Sequence, residues 1–366
     1  MNHRWNPLLD IPAFPAERYA VVADRLAAIL HTKNDLVVVQ AEAIVALEAA
    51  AVSTIRPGMK AINIVTSPYG RWFGDWMRRA GGLVIDVTAT PGHAIETAAV
   101  AAAVAAHPDT AILALVHAES ASGICNPLAE IIAIARENGL LTIVDAVASV
   151  GGHPLDVDAL GIDIAVIGAQ KALSGPAGLS ALSVSPTGWA SILKPGGPVN
   201  STLSLADLKL WLDNGRGALP GTPVLLEWHA LDAALDRVEA ETLPAIIARH
   251  RLAATACMNG LSALGNTDCW TPRTTASNLV TTIRVPDGTV PQDLIASVAH
   301  LGEFLSAGVG PGAEHLVRIG HTGLQARFET VLSAVCAYGM GLRQGGHKAD
   351  IAAAAAAVAD TYRDGC

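Results

Sequence analysis

Two residues in this chain could do chemistry together: a lysine just past one apolar run and an aspartate just past another. Ile162-Asp-Ile-Ala-Val-Ile-Gly-Ala-Gln-Lys171 is rich in β-branched residues and bounded by Gly168 and Gly175, a pattern that predicts a buried strand emptying into a turn. In such apolar surroundings an amine is partly desolvated, loses its proton more readily and can attack a carbonyl to form a Schiff base. One strand upstream, Leu140-Leu-Thr-Ile-Val144 leads into Asp145. Ligands of open parallel sheets collect at the carboxyl ends of strands, so Asp145 and Lys171 would face one crevice. A carboxylate beside an imine-forming lysine suits a pyridoxal-type ring, because protonating the pyridine nitrogen turns the ring into an electron sink. Taken singly, each has a plainer reading: Lys171 as a solvated surface charge, Asp145 as a loop cap.

Other strand ends deliver further groups to the same edge. Glu42 follows the first strand, Tyr69 the second, Glu119 and Ser120 the fourth, and Gln170 accompanies Lys171 after the sixth. A ring site would use Tyr69 as a stacking face and Ser120 as a hydroxyl contact, although ordinary loop or packing roles suit either residue alone. Downstream, Leu316-Val-Arg-Ile-Gly-His321 places Arg318 at the end of an apolar run. A guanidinium there can hold a substrate carboxylate in a bidentate grip or serve a structural ion pair.

The elements needed to position these groups are legible as an alternation. Helix is expected over 16–30, strand over 35–39, helix from about 45 to 55, strand over 61–65 and helix over 69–79. Strand over 83–87, helix over 93–106, strand over 111–116 and helix over 127–138 continue it up to the two strands that open the argument. Repeated strand and helix units imply an α/β fold with a mainly parallel sheet flanked by helices. The pattern changes near Glu239, where a long helical stretch to about Leu264 leads into strands over 278–285 and 316–319 and two final helices. The expectation is therefore a large domain over 1–239 and a smaller C-terminal α+β domain over 240–366.

Composition excludes several classes. The 366 residues are 51% hydrophobic and 16% charged, enough for a large core, and a formal net charge of -9 leaves no basic field for nucleic acid or an anionic membrane. Cys125, Cys257, Cys269, Cys336 and Cys366 are scattered without metal-like spacing, which favours a reducing, cytoplasmic setting over a disulfide framework or zinc site. The opening Met1-Asn-His-Arg-Trp-Asn-Pro7 precedes no long apolar segment, so no signal peptide is expected, and the alanine-rich helices are too short to span a bilayer. No GxGxxG turn follows the first strand and no GxSxG elbow occurs, which argues against a nicotinamide dehydrogenase and a serine hydrolase.

His117-Ala-Glu-Ser-Ala-Ser-Gly123, Val144-Asp-Ala-Val-Ala-Ser-Val-Gly-Gly152, Gly168-Ala-Gln-Lys-Ala-Leu173 with Gly175-Pro-Ala-Gly178, and Val317-Arg-Ile-Gly-His-Thr-Gly323 occur in that order. Together they resemble the fold-type I, class V aminotransferases, the alanine:glyoxylate aminotransferase group, from about Leu36 to Ala349. The resemblance implies the pyridoxal 5'-phosphate-dependent transferase fold, with Lys171 as Schiff-base residue and proton shuttle and Asp145 as partner of the pyridine nitrogen. It further implies Ser120, Val147 and Gln170 as ring contacts, Arg318 as carboxylate anchor, and a homodimer with its site near the subunit interface.

The departures from that family concern the phosphate. Where members holding the phosphorylated ring usually have a Gly-Ser-Gly-Thr kind of loop before the first helix of the sheet, this chain has Ala41-Glu42-Ala43-Ile44. A carboxylate there repels a phosphate by on the order of 4 kcal/mol at about 4 Å and an effective dielectric of about 20. Thr222 is kept where many relatives reach the phosphate from the neighbouring subunit, but Leu219 stands where their tyrosine falls. Glu42 followed by this alanine-rich helix is similar to the pyridoxamine:pyruvate branch, in which a glutamate sits at this point and unphosphorylated pyridoxal and pyridoxamine are substrates. Against that branch, the chain lacks the usual Gly-Pro opening and has Val309 in place of a second arginine. The expected reaction is transfer of an amino group from a small-molecule amine to a small 2-oxo acid, with Glu42 and Ala43 at the hydroxymethyl end of the ring. An ordinary aminotransferase with bound pyridoxal 5'-phosphate, a lyase on the same scaffold and a non-catalytic pyridoxal-binding paralogue stay open as alternatives.

Overall fold

A computed structural model describes residues 11–219, 221–265 and 267–365; the Met1 to Pro7 opening and Cys366 lie outside the described residues. Seven strands form the main sheet: β1 (Asp35–Val39), β2 (Lys60–Val65), β3 (Leu83–Thr88), β4 (Thr110–Val116), β5 (Leu141–Asp145), β6 (Ile164–Gly168) and β7 (Ser180–Val184). Their spatial order is β1-β7-β6-β5-β4-β2-β3. Every neighbouring pair from β6 to β3 is parallel, and β7 alone runs antiparallel to β6 and β1. Residues of β5 and β6 are buried throughout, as expected for strands covered on both faces.

Helices cover both faces: α1 (Ala16–Ile29), α2 (Ala43–Thr54), α3 (Pro68–Arg79), α4 (Thr97–Ala106), α5 (Leu128–Glu137), α6 (Val157–Leu160), α7 (Pro186–Ile192), α8 (Leu205–Asp213) and α9 (Leu225–Glu241). One buried cluster joins Val22, Leu26, Leu115, Ile131 and Trp228, and a second, on the other face, joins Val37, Leu47, Phe73, Ile143 and Trp189. Among the described residues no helix is long and apolar enough to cross a membrane.

The remaining chain builds a separate core. Helices α10 (Leu243–Leu264), α11 (Pro291–Val298), α12 (Phe328–Gln344) and α13 (Ile351–Asp364) pack on β8 (Asp268–Cys269), β9 (Val280–Arg284), β10 (Leu305–Ala307) and β11 (Leu316–Gly320), an antiparallel sheet of order β10-β11-β9-β8. Its interior, including Cys257, Leu261, Val317, Ile319 and Tyr338, is distinct from the two clusters on the main sheet.

Several boundaries differ from the sequence expectation for local reasons. The stretch to Leu264 is two helices, because α9 begins at Leu225 and the backbone turns left-handed at Thr242 (φ 73°). Helix α4 starts at Thr97 instead of His93, since Gly92 (φ 83°) holds a turn closed by the His93 N–H to the Thr90 carbonyl. Strand β7 was not expected at all, and it carries β1 into the sheet.

Candidate active site

The carboxyl ends of β1, β2, β4, β5 and β6 open on one cavity of about 210 Å³. Glu42, Ala43, Tyr69 and Ser120 line it, with Asp145, Val147 and Lys171 opposite the α2 terminus. These seven expected site residues come from five strand ends, those of β1, β2, β4, β5 and β6.

Glu42 caps α2. Its Oε2 accepts the Ile44 N–H at 2.8 Å, and its Oε1 accepts the Gln170 side-chain amide at 2.8 Å. Gln170 is thus one residue before Lys171 and bound to the glutamate, while its own Oε1 is buried without a partner among the described residues. Gly168 makes this possible: a Cβ there would strike Gln170 Oε1 and sit 2.9 Å from Val147 Cγ1.

Asp145 ends β5 and is 8% exposed. Burial pushes its carboxyl up to about 6, with the Val147 N–H bond and the Lys171 charge pulling the other way. Its Oδ1 accepts that N–H at 2.9 Å, and Oδ2 has no donor among the described residues. Behind it, Glu119 is fully buried and raised to about 7 by the same desolvation; its Oε1 accepts the Thr66 hydroxyl at 2.5 Å. Asn126 fixes Thr66 in turn, donating at 3.0 Å to its hydroxyl and at 2.8 Å to the Val116 carbonyl.

Arg318, on β11, reaches across to the main sheet. Its Nη1 donates to the Ser120 carbonyl at 2.9 Å and its Nε to the Ala307 carbonyl at 2.8 Å. It has no carboxylate partner among the described residues, so the structural ion pair that the sequence left open is not what holds it. The loop after β11 then packs on the lysine loop. Gly323 (φ 63°) lies so close that a Cβ there would be 2.8 Å from the Lys171 carbonyl, and its N–H is held by His250 Nε2 at 2.8 Å.

Gln170, Arg318 and Thr222 are expected residues that do not line the cavity; the first two contact its lining residues Glu42 and Ser120, whereas Thr222 does not. Thr222 borders another cavity with Val39, Ala41 and Leu219, and the Gln40 amide donates to its carbonyl at 3.4 Å. Sequence reasoning passed over Trp72, which lines the mouth of the site and meets Tyr69 edge to face at 5.5 Å. Its signal was the i, i+3 spacing that puts both rings on one face of α3. Ile44 and Leu47, on the first turns of α2, complete an apolar rim.

The donor set fits a pyridoxal-type ring. A buried carboxylate with one free oxygen, a lysine in the same cavity and an aromatic wall are what such a ring requires. Charged groups lining the cavity are Glu42, Asp145 and Lys171, with no arginine among them.

Comparison with known proteins agrees. The family model Aminotransferase class-V matches residues 16–312. The chain is 34% identical to pyridoxamine–pyruvate transaminase of Mesorhizobium japonicum, covering 92% of this chain and 86% of that one. It is 32% identical to alanine–glyoxylate aminotransferase of Callithrix jacchus, covering 83% and 74%. The crystal structure of pyridoxamine-pyruvate aminotransferase from Mesorhizobium loti superposes with a TM-score of 0.89 at 31% identity, covering 95% of this chain and 89% of that one. This protein belongs to the class V aminotransferase family.

Proposed function

We propose that the chain transfers an amino group between an unphosphorylated pyridoxamine-type ring and a small 2-oxo acid, the ring being a substrate that leaves after each cycle. The observation that carries this reading is Glu42: a carboxylate caps α2 at the point where an anion would bind, and no arginine lines the cavity to offset it. The similarity to pyridoxamine–pyruvate transaminases supports the same choice.

When bound, the ring draws electrons from the carbon that bears the nitrogen, so a proton there becomes removable. Lys171 Nζ would take that proton and return it to the carbon on the far side of the nitrogen, the former carbonyl carbon of the oxo acid. Asp145, through its free Oδ2, holds the proton of the ring nitrogen. Arg318 offers its Nη2 to the carboxylate of the oxo acid, its other nitrogens being fixed on Ser120 and Ala307. Tyr69 and Trp72 wall the ring and exclude water, and Glu42, steadied by Gln170, accepts a hydrogen bond from the hydroxymethyl group.

The active form we propose is a cytoplasmic homodimer. Thr222, tied to Gln40 away from its own chain's cavity, is available to a second copy. We also assign residues 1–239 to the ring-binding domain and 240–366 to the domain that brings Arg318. The test is a spectroscopic titration of ring-free protein with pyridoxal and with pyridoxal 5'-phosphate, followed by turnover of pyridoxamine with pyruvate. Tighter binding of pyridoxal and steady turnover are expected, and Lys171→Ala should lose at least about a thousandfold in rate. Tighter binding of the phosphorylated ring by the parent protein would overturn the reading.

A further inference from the structure

A second cavity, of about 340 Å³, lies between the main sheet and the C-terminal core. Its walls include Ser67, Arg71, Ser122, Trp270, Val309 and Pro311. Three observations place it beside Arg318. The Ser120 carbonyl that holds Arg318 Nη1 is two residues from Ser122, and the Ala307 carbonyl that holds its Nε is two residues from Val309. Tyr69, close enough to Arg318 to bias its charge, is two residues from Arg71. Three chain segments that hold or flank the Arg318 guanidinium thus continue, within two residues, into the wall of this cavity.

The lining chemistry is specific. Arg71 is the one charged residue among the lining residues, and its guanidinium has no hydrogen bond or ion pair among the described residues. The Ser122 hydroxyl is buried and also without a partner among them, with the residue only 8% exposed. Two of the other three hydroxyls at this wall, those of Ser67 and Thr66, are engaged: Ser67 caps α3 by accepting the Tyr69 N–H, and Thr66 serves Asn126 and Glu119; the third is that of Thr88. Val309 and Pro311 supply apolar surface between them. A methyl group, about the size of a water molecule with its share of about 30 Å³, would leave such a space nearly empty.

We propose that this cavity receives the side chain of the 2-oxo acid and that the preferred acceptor is dicarboxylic. Its first carboxylate rests on Arg318, its methylenes lie against Val309, and its second carboxylate meets Arg71 and the Ser122 hydroxyl. This inference rests on the aminotransferase reading above and specifies its acceptor.

The experiment compares kcat/KM for pyruvate, 2-oxobutyrate, oxaloacetate and 2-oxoglutarate with pyridoxamine as donor, in the parent and in Arg71→Gln. A preference of about tenfold or more for a dicarboxylic acid over 2-oxobutyrate is expected, as an arginine–carboxylate pair gives, and Arg71→Gln should erase most of that ratio. Because the readout is a ratio within each protein, altered folding cancels. A second measurement stands apart from turnover: calorimetric binding of glutarate and of butyrate to ring-free protein. Glutarate should bind the parent more tightly by a similar factor, lose that advantage in Arg71→Gln, and inhibit competitively against the oxo acid. Dicarboxylate selectivity in binding without any turnover would sink the aminotransferase reading and keep the cavity assignment. Equal binding of glutarate and butyrate, a preference for 2-oxobutyrate, or non-competitive inhibition by glutarate would overturn the assignment itself.

Discussion

Replacing Glu42 by Gln removes one charge from the cavity while keeping an acceptor for the Ile44 N–H at the start of α2. A phosphate group carries about 1.5 to 2 negative charges near neutral pH. Two unit charges at about 4 Å repel by about 4 kcal/mol at an effective dielectric of 20 and by about 1 kcal/mol in water. Glu42 is exposed, so the water-like end of that range applies, and we expect about 1 to 2 kcal/mol, or roughly five- to thirtyfold. This is smaller than the value expected from the sequence, because solvent reaches the carboxylate. The same substitution replaces a charged acceptor by a neutral one for the hydroxymethyl group, weakening pyridoxal by about tenfold. The ratio of the two dissociation constants should therefore move by on the order of a hundredfold toward the phosphorylated ring. Titrating ring-free parent and variant at low and high salt separates the two contributions, since only the charge repulsion is screened. A ratio that does not move, or moves equally at both salt concentrations, refutes the electrostatic argument.

Three further outcomes follow from the geometry. Arg318→Ala leaves the Ser120 and Ala307 carbonyls without their donor as well as removing the anchor, so KM for the oxo acid should rise about a hundredfold or more; steady-state kinetics with unchanged KM would count against Arg318. Asp145 has a raised folded-state pKa, so its contribution is favourable below the ordinary carboxylate range and is lost as pH rises through about 6. Asp145→Asn should accordingly gain stability relative to the parent between pH 4.5 and 7.5, by up to about 3 kcal/mol in denaturant unfolding of ring-free protein, and a pH-independent difference would refute this. Gly323→Ala must adopt a left-handed backbone and crowd the Lys171 carbonyl and Ser174 Oγ, and a loss of about 1 to 3 kcal/mol in thermal unfolding is expected; wild-type stability would show that the loop yields freely.

The strand ends were the legible part of the site. Lys171, Asp145, Ser120, Tyr69 and Glu42 each follow an apolar run in the sequence, and a parallel sheet collects such positions at one edge whatever its strand order. Arg318 was legible as a cation after an apolar run, but its fixation on two carbonyls is a contact between distant segments that no local pattern encodes. Helix α3 illustrates the same limit. Its Tyr69 and Trp72 spacing was visible, yet which face of the helix turns to the cavity is decided by packing on α2 and β2. Strand β7 escaped notice because Ser180-Ala-Leu-Ser-Val184 is short and interrupted by two serines, although every one of its residues is buried in the sheet. Thr222 shows the converse: a residue placed by resemblance alone lies outside the cavity of its own chain.

The antiparallel insertion of β7 has a consequence for how the protein is made. Strand β1 has β7 as its sole partner in the sheet, with Asp35 opposite Val184, a separation of 184 minus 35, or 149 residues. At a synthesis rate of about 5 to 20 residues per second, β1 leaves the ribosome about 7 to 30 seconds before its partner does. During that interval the segment leading to Glu42 has no strand to pair with, and Gln170, which fixes the glutamate, is itself made late. The group proposed to read the ring emerges among the first and is set in place among the last.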